Sequence, residues 1–227
     1  MSRSPQVLIF DVNETLLDLS DIGHAFVEVF GSEAPVGEWF ARLLHGSLVA
    51  NHTDRYRPFG VIATEALIAL ATRKGIEITP DRAAEVMATL RRLPPHPDVP
   101  EALERLRKTG FRLVTLTNNS GDAVTQQLQY AGLAGYFERS LSVDAVRRFK
   151  PAPEVYKYAA AELGVDVDDA TMVAAHDWDI LGARMVGMPG AFIKRRGVVW
   201  SLPDAPPHLV APDIGVLAEL FSAQEKG

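Results

Sequence analysis

Cysteine is absent from the 227-residue chain. That excludes disulfides, thiolate metal sites and a cysteine nucleophile. Blocks of one charge are missing too: 23 Lys and Arg are interspersed with 29 Asp and Glu, and the net charge is −6. Nucleic acid and membrane surfaces are therefore poor partners, and a small molecule is the expected one. No apolar run approaches the roughly 20 residues of a membrane span. The run after Met1-Ser2-Arg3-Ser4-Pro5 is too short for a signal peptide, so the expected location is cytoplasmic. Five of the six histidines, His24, His45, His52, His96 and His208, show no ligand spacing and read as background.

With 47% apolar and 23% charged residues, the chain can bury the core of one large domain, or of a domain carrying an inserted subdomain. Val7-Leu8-Ile9-Phe10 reads as a strand buried on both faces, and Asp11 follows it in an acidic, turn-prone loop. Open α/β sheets bind ligands at that edge. A carboxylate there can be an ion-pair anchor, a metal ligand or a covalent nucleophile.

Residues 19–97 change character. Ile22, Phe26, Val29 and Phe30, then Trp39, Phe40, Leu43 and Leu44, then Ile62, Leu67, Leu70 and Ala71 recur at helical spacing. Thr79-Pro80-Asp81 reads as a helix start, and Pro94-Pro95-His96-Pro97 as a rigid connector back. Beyond it strands expected at 111–117, 141–143, 171–175 and 191–193 alternate with helices at 98–108, 122–130, 153–163, 180–186 and 214–221. The stretch around Pro203-Asp204-Ala205-Pro206-Pro207 reads as loop. The expected architecture is α/β: a parallel Rossmann-like sheet with helices on both faces, plus an inserted all-helical cap. Its core would be residues 1–18 and 98–227, and its cap 19–97.

A parallel sheet gathers the polar residues at its strand ends. These are Asp11, Asn13 and Thr15; Thr117, Asn118, Asn119 and Ser120; and His176, Asp177, Trp178 and Asp179, with Lys150-Pro151 ahead of a helix. Each alone has an ordinary structural reading as a cap or a surface group. Four clusters at matching ends point to a site.

The segments Leu8-Ile9-Phe10-Asp11-Val12-Asn13-Glu14-Thr15, Leu116-Thr117-Asn118, Lys150-Pro151 and Ala175-His176-Asp177-Trp178-Asp179 resemble the haloacid dehalogenase superfamily. Phe149-Lys150-Pro151 with Tyr156, Trp178-Asp179 followed by Gly182-Ala183, and Arg42 in the cap make the chain most like the type II L-2-haloacid dehalogenases. It departs from them at Asn13 and Glu14, where they carry an aromatic residue and glycine, and at Ala174 and His176, where they carry serine and asparagine.

The resemblance implies hydrolytic dehalogenation of short 2-haloalkanoic acids without a cofactor. Asp11 would attack the halogen-bearing carbon, and water would then open the resulting ester. Lys150 would hold Asp11 ionised, and Asp179 would position Lys150 or the water. Thr15, Thr117 and Asn118 would bind the carboxylate or the carbonyl oxygen. Arg42 would receive the halide, and Asn13, His176, Trp178 and Tyr156 would complete the substrate site. Phe59 is a candidate wall, and a homodimer is the candidate assembly. The alternative within the superfamily is a phosphatase on a small metabolite, with magnesium at Asp11, the Asn13 carbonyl and Asp179. Asn13, which cannot act as a general acid, and Ala175, which cannot bind metal, both disfavour it. A member that only binds a small acid is a third reading, disfavoured by the joint presence of Asp11, Thr117 and Lys150.

Overall fold

A computed structural model describes residues 7–203 and 205–224. The leader reading of residues 1–5, Asp204 of the tail loop and residues 225–227 lie outside the described residues. Six strands form one sheet: β1 Val7–Phe10, β2 Arg112–Thr117, β3 Arg139–Ser142, β4 Ala170–Ala174, β5 Gly190–Ile193 and β6 Leu209–Ala211. Their order is β3-β2-β1-β4-β5-β6, and every pairing is parallel. The chain runs outward from β1 through β2 to β3, then returns to β4 on the other side of β1. The crevice beyond the carboxyl ends of β1 and β4 is thus the topological switch point, where such sheets bind ligands.

Successive β1 residues alternate between two cores. Val7 and Ile9 face the side packed by α7 (Pro153–Leu163) and α8 (Asp177–Met185). Leu8 and Phe10 face that of α5 (Val99–Lys108), α6 (Gly121–Tyr130) and α9 (Ile214–Gln224). A strand covered on both faces has no place for a polar side chain, which is why its sequence is an unbroken apolar run.

Between β1 and α5 lie four helices and a 3-10 turn: α1 Ser20–Phe30, α2 Pro35–His52, α3 Phe59–Arg73, α4 Pro80–Ala88 and Thr89–Arg92. Trp39, Leu43, Ile62, Leu67, Leu70 and Val86 bury the facing sides of α2, α3 and α4. Thr79 caps α4 through the Arg82 N–H, with Pro80 behind it, as its sequence predicts. The outgoing and returning connections run side by side. The Asp18 N–H donates to Pro94 O and the His96 N–H to Leu16 O, each at 2.9 Å, and Leu17 bridges Pro95.

One expectation is corrected, and one strand was not expected. The helix expected from Ile180 begins at Asp177, because His176 adopts the extended cap conformation and Asp177 and Asp179 favour a helix amino end. Part of the tail is a strand: Leu209–Ala211 pairs with β5 at the sheet edge, too short and too close to prolines for its alternation to register.

Candidate active site

The β1 chain turns at once on leaving the sheet: the N–H groups of Leu16 and Leu17 both donate to Val12 O. That turn folds Thr15 back over Asp11. Thr15 Oγ1 donates to Asp11 Oδ2 at 2.8 Å and accepts the Ala175 N–H at 2.9 Å, tying the ends of β1 and β4 together. Thr15 therefore orients Asp11 and leaves no donor for a substrate. Its carbonyl accepts two bonds from Arg195, at 3.1 and 2.8 Å, and Arg195 also pairs with Asp98 at 2.7 Å.

Lys150 is fully buried with its ammonium between two carboxylates, 3.1 Å from Asp11 and 2.8 Å from Asp179. Tyr156 donates to the other oxygen of Asp179 at 2.6 Å. Helix α8 comes close enough for this because residue 182 is glycine. A Cβ there would stand 2.6 Å from both Pro151 and the Tyr156 hydroxyl. The Lys150 N–H donates to Asn118 Oδ1 at 2.9 Å. Asn51 of α2 brackets Phe149, donating to its carbonyl and accepting from its N–H, each at 2.8 Å.

His176 closes the constellation. Its Nε2 lies 2.7 Å from Glu14 Oε2, and its Nδ1 lies 3.3 Å from Asp11 Oδ2, within ion-pair range but outside hydrogen-bond alignment. The ring stacks on Trp178 at 5.0 Å and on Phe40 at 5.6 Å.

Charge in the cluster follows from these contacts. Burial pushes the Asp11 carboxyl up, but Lys150 and His176 outweigh it and hold the group well below the usual carboxylate range. Burial pushes His176 down, but Asp11 and Glu14 raise it to about 10, so the ring is a cation at neutral pH. Burial raises Asp179, as does the neighbouring charge of Asp11, against the pull of Lys150. Lys150 stays charged because the two carboxylates outweigh its burial.

The space over Asp11 is about 20 Å³, room for roughly one water. Asp11, Asn13, Thr117, Asn118, His176 and Trp178 line it from the sheet side, and Phe40, Leu44 and Phe59 from the helices between β1 and β2. Thr117 Oγ1 accepts the Asn119 N–H, and the Asn118 oxygen is taken by Lys150. The Thr117 hydroxyl proton and the Asn118 amide N–H groups have no partner among the described residues, so both can donate into the cavity. Asn13 reaches the rim, but its amide oxygen accepts from Gln127 at 3.0 Å.

Two expected substrate contacts are not brought to the cavity. Phe40 and Leu44 line it, and Arg42, two positions from each, lies about half a helical turn round α2 from both. It pairs instead with Glu38 at 3.2 Å, and Glu38 also holds Lys74. Arg42→Ala is expected to leave kcat and KM within about twofold of wild type, as befits a partly exposed ion pair; a large loss in steady-state assays would place Arg42 in the reaction. Tyr156 is fully buried behind Asp179 and supports it rather than substrate.

Sequence reasoning missed several groups. His96, read as background, meets Glu14 O through Nε2 at 3.0 Å. Gln127 stands among Val124 and Leu128 on the buried side of α6, a polar residue in an apolar stripe that was visible as such. Arg195 stands two residues beyond the end of β5, at the same edge of the sheet as Asp11, and that strand end carries the signal for it.

Magnesium does not fit this donor set. Both oxygens of Asp11 and of Asp179 already face protein donors, and Ala175 offers no ligand. Among the described residues, the one grouping of three carboxylates within reach of a single ion is Asp166, Asp168 and Asp169, exposed at the opposite end of β4.

A family model described as haloacid dehalogenase-like hydrolase matches residues 5–187. The (S)-2-haloacid dehalogenase of Pseudomonas sp. (strain YL) is 28% identical over 216 residues, 94% of this chain and 93% of that one. A phosphoserine phosphatase of Thermus thermophilus is also 28% identical, over 250 residues, 96% of this chain and 99% of that one. A solved L-2-haloacid dehalogenase aligns with a TM-score of 0.91 at 26% identity, covering 96% of this chain and 99% of that one. With the matched span reaching from the Asp11 strand through the Lys150 loop to the end of α8, this chain belongs to the haloacid dehalogenase-like hydrolases.

Proposed function

We infer that the protein hydrolyses the carbon–halogen bond of short 2-haloalkanoic acids, giving 2-hydroxy acids through an ester on Asp11. The observation that carries this reading is the state of Asp11: buried, ionised and held by Thr15 and Lys150, with Asn13, an amide and not an acid, lining the cavity beside it, while Asp179 is tied to Lys150 and Tyr156 and His176 to Glu14. A halide leaves without a proton, so a cavity with no acid free to give one suits it. An alkoxide leaving group needs such an acid, and Asn13 cannot supply one. In this reading a carboxylate oxygen of Asp11 attacks the halogen-bearing carbon in line, and halide departs with the bonding pair. Water then adds to the Asp11 carbonyl carbon, and the oxygen bound to substrate leaves with the 2-hydroxy acid. Lys150 and Thr15 keep the carboxylate aimed, Asn118 and Thr117 offer donors to substrate, and Asp179 fixes Lys150. No cofactor takes part. Residues 19–97 act as a cap, and the rest of the chain as the core. A cavity of about 20 Å³ admits a haloacid only if the cap shifts or its side chains rotate.

The relationship to a phosphoserine phosphatase keeps phosphate-ester hydrolysis as the competing reading. Chloro-, bromo- and fluoroacetate and both 2-chloropropionates, assayed for halide release beside a phosphate-ester panel with and without chelator, separate the two. We expect halide release unaffected by chelation, with one 2-chloropropionate enantiomer preferred and inverted. Efficient magnesium-dependent phosphate release without halide release overturns the assignment. No helix among the described residues is long and apolar enough to cross a membrane.

A further inference from the structure

Glu14 holds a left-handed backbone, φ 61°, a conformation that a residue with a Cβ keeps only where its surroundings enforce it. That conformation delivers its carboxylate to His176 Nε2, 162 positions away in the chain. With Trp178 and Phe40 covering the ring faces, only the Nδ1 edge of His176 remains for a ligand. Nδ1 is buried, belongs to a residue that lines the cavity, and has no hydrogen-bond partner among the described residues. An unsatisfied buried donor is costly, and an anion arriving in the cavity would relieve it.

Its position selects which part of a substrate it meets. In an in-line displacement the leaving group departs on the side of the carbon away from the attacking oxygen. The other three substituents spread around the line of attack. Nδ1 stands beside Asp11 Oδ2, at 3.3 Å, rather than across the cavity from it, so it faces one of those three. In a 2-haloacid one of the three is the carboxylate. The other nearby cations are committed: Lys150 is shared by Asp11 and Asp179, and Arg42 is turned to Glu38. We propose that His176, held in place by Glu14, is the group that binds the substrate carboxylate. The proposal rests on the haloacid reading of the site. The titratable groups facing His176 are Asp11 and Glu14, and its contacts from α2 and α8, Phe40 and Trp178, are uncharged.

The test compares wild type with His176→Asn and His176→Gln, each checked for folding by circular dichroism. The kcat/KM preference for chloroacetate over the neutral chloroacetamide is expected to fall at least about tenfold, mainly through KM. Binding of glycolate, the product carboxylate, measured by titration calorimetry at pH 7, should weaken by at least about tenfold as well. Glu14→Gln keeps an acceptor but removes a charge, so glycolate binding should be lost at a lower pH than in wild type. Unchanged preference and affinity in the folded histidine variants overturn the proposal. So does a kcat loss graded from bromide to fluoride with the preference intact, which would mark His176 as a leaving-group residue. Should His176 variants fail to fold, an unmoved pH profile in Glu14→Gln overturns it. If wild type releases no halide at all, the haloacid reading falls, and glycolate binding decides: affinity lost with His176 supports the anchor, and affinity absent or unchanged rejects it.

Discussion

A single turnover in heavy-oxygen water, with enzyme in excess over chloroacetate, is expected to place label in the Asp11 side chain and leave the first glycolate formed unlabelled. The product oxygen comes from Asp11 itself, because water attacks the carbonyl carbon of the ester and the bond to substrate breaks on the acyl side. Mass spectrometry of the peptide carrying Asp11 reads the outcome. Label going straight into glycolate rejects the covalent route, since it requires direct attack by water on the substrate. Asp11→Ala should lower kcat at least about 10⁴-fold, the scale on which removal of a nucleophile acts in other hydrolases. Its effect on folding should be smaller than that of removing the cation beside it.

That cation sets the second large effect. Lys150→Met replaces a fully buried ammonium by an apolar side chain of similar length and leaves Asp11 and Asp179 without their shared partner. Breaking one side of a buried ion pair costs about 3–5 kcal/mol. For a domain of this size that is a fall in Tm of roughly 6–20 °C, readable by calorimetry. Activity should be lost with it, as Asp11 loses the charge that holds it ionised. The pH dependence that Asp11 contributes should also change sign. In wild type the Asp11 carboxyl is depressed below its unfolded value, so its contribution is present above the unfolded pKa and lost as pH falls through the folded one. In Lys150→Met the two buried carboxylates repel and are pushed up, so protonating one stabilises the fold. The variant's Tm should rise more between pH 7 and pH 5 than that of wild type, in which Asp179 alone of the two carboxyls is pushed up. A variant as stable as wild type at pH 7 would show that the charges are screened in a way their burial does not allow.

The placement of Asp11, Lys150, Thr117, Asn118 and Asp179 was legible because a parallel sheet gathers its strand ends at one edge, whatever the details of packing. Boundaries of the buried strands were readable for a similar reason: an unbroken apolar run flanked by turn residues leaves little freedom. What failed was information about direction. Arg42 enters the site only through the resemblance, yet helix periodicity puts Phe40 and Leu44 on one side of α2 and Arg42 on the other. Glu14 and His176 were each noticed as departures, but their pairing depends on a backbone turn and a helix start that no local pattern specifies. Tyr156 lies behind Asp179 instead of in front of it because α8 packs tightly over Pro151 at Gly182, a contact between elements distant in sequence.

The hydrogen-bonded ribbon formed by residues 16–18 and 94–96 bears on which insertions and deletions the chain can accept. Most connections in a protein lengthen at little cost, since they lie on the surface and closure entropy grows slowly with length. This one cannot. Leu16 O is bonded to the His96 N–H, His96 reaches Glu14 O with its ring, and Thr15 between them holds Asp11. One residue added within Pro94–Pro97 would shift that register and draw the Asp11 loop with it, while the turn at Ser32–Ala34 between α1 and α2 has no such tie to Asp11. Variation in length among related chains should therefore collect at the 31–34 turn and avoid 94–97, where a single added residue reaches the Asp11 carboxylate through two hydrogen bonds.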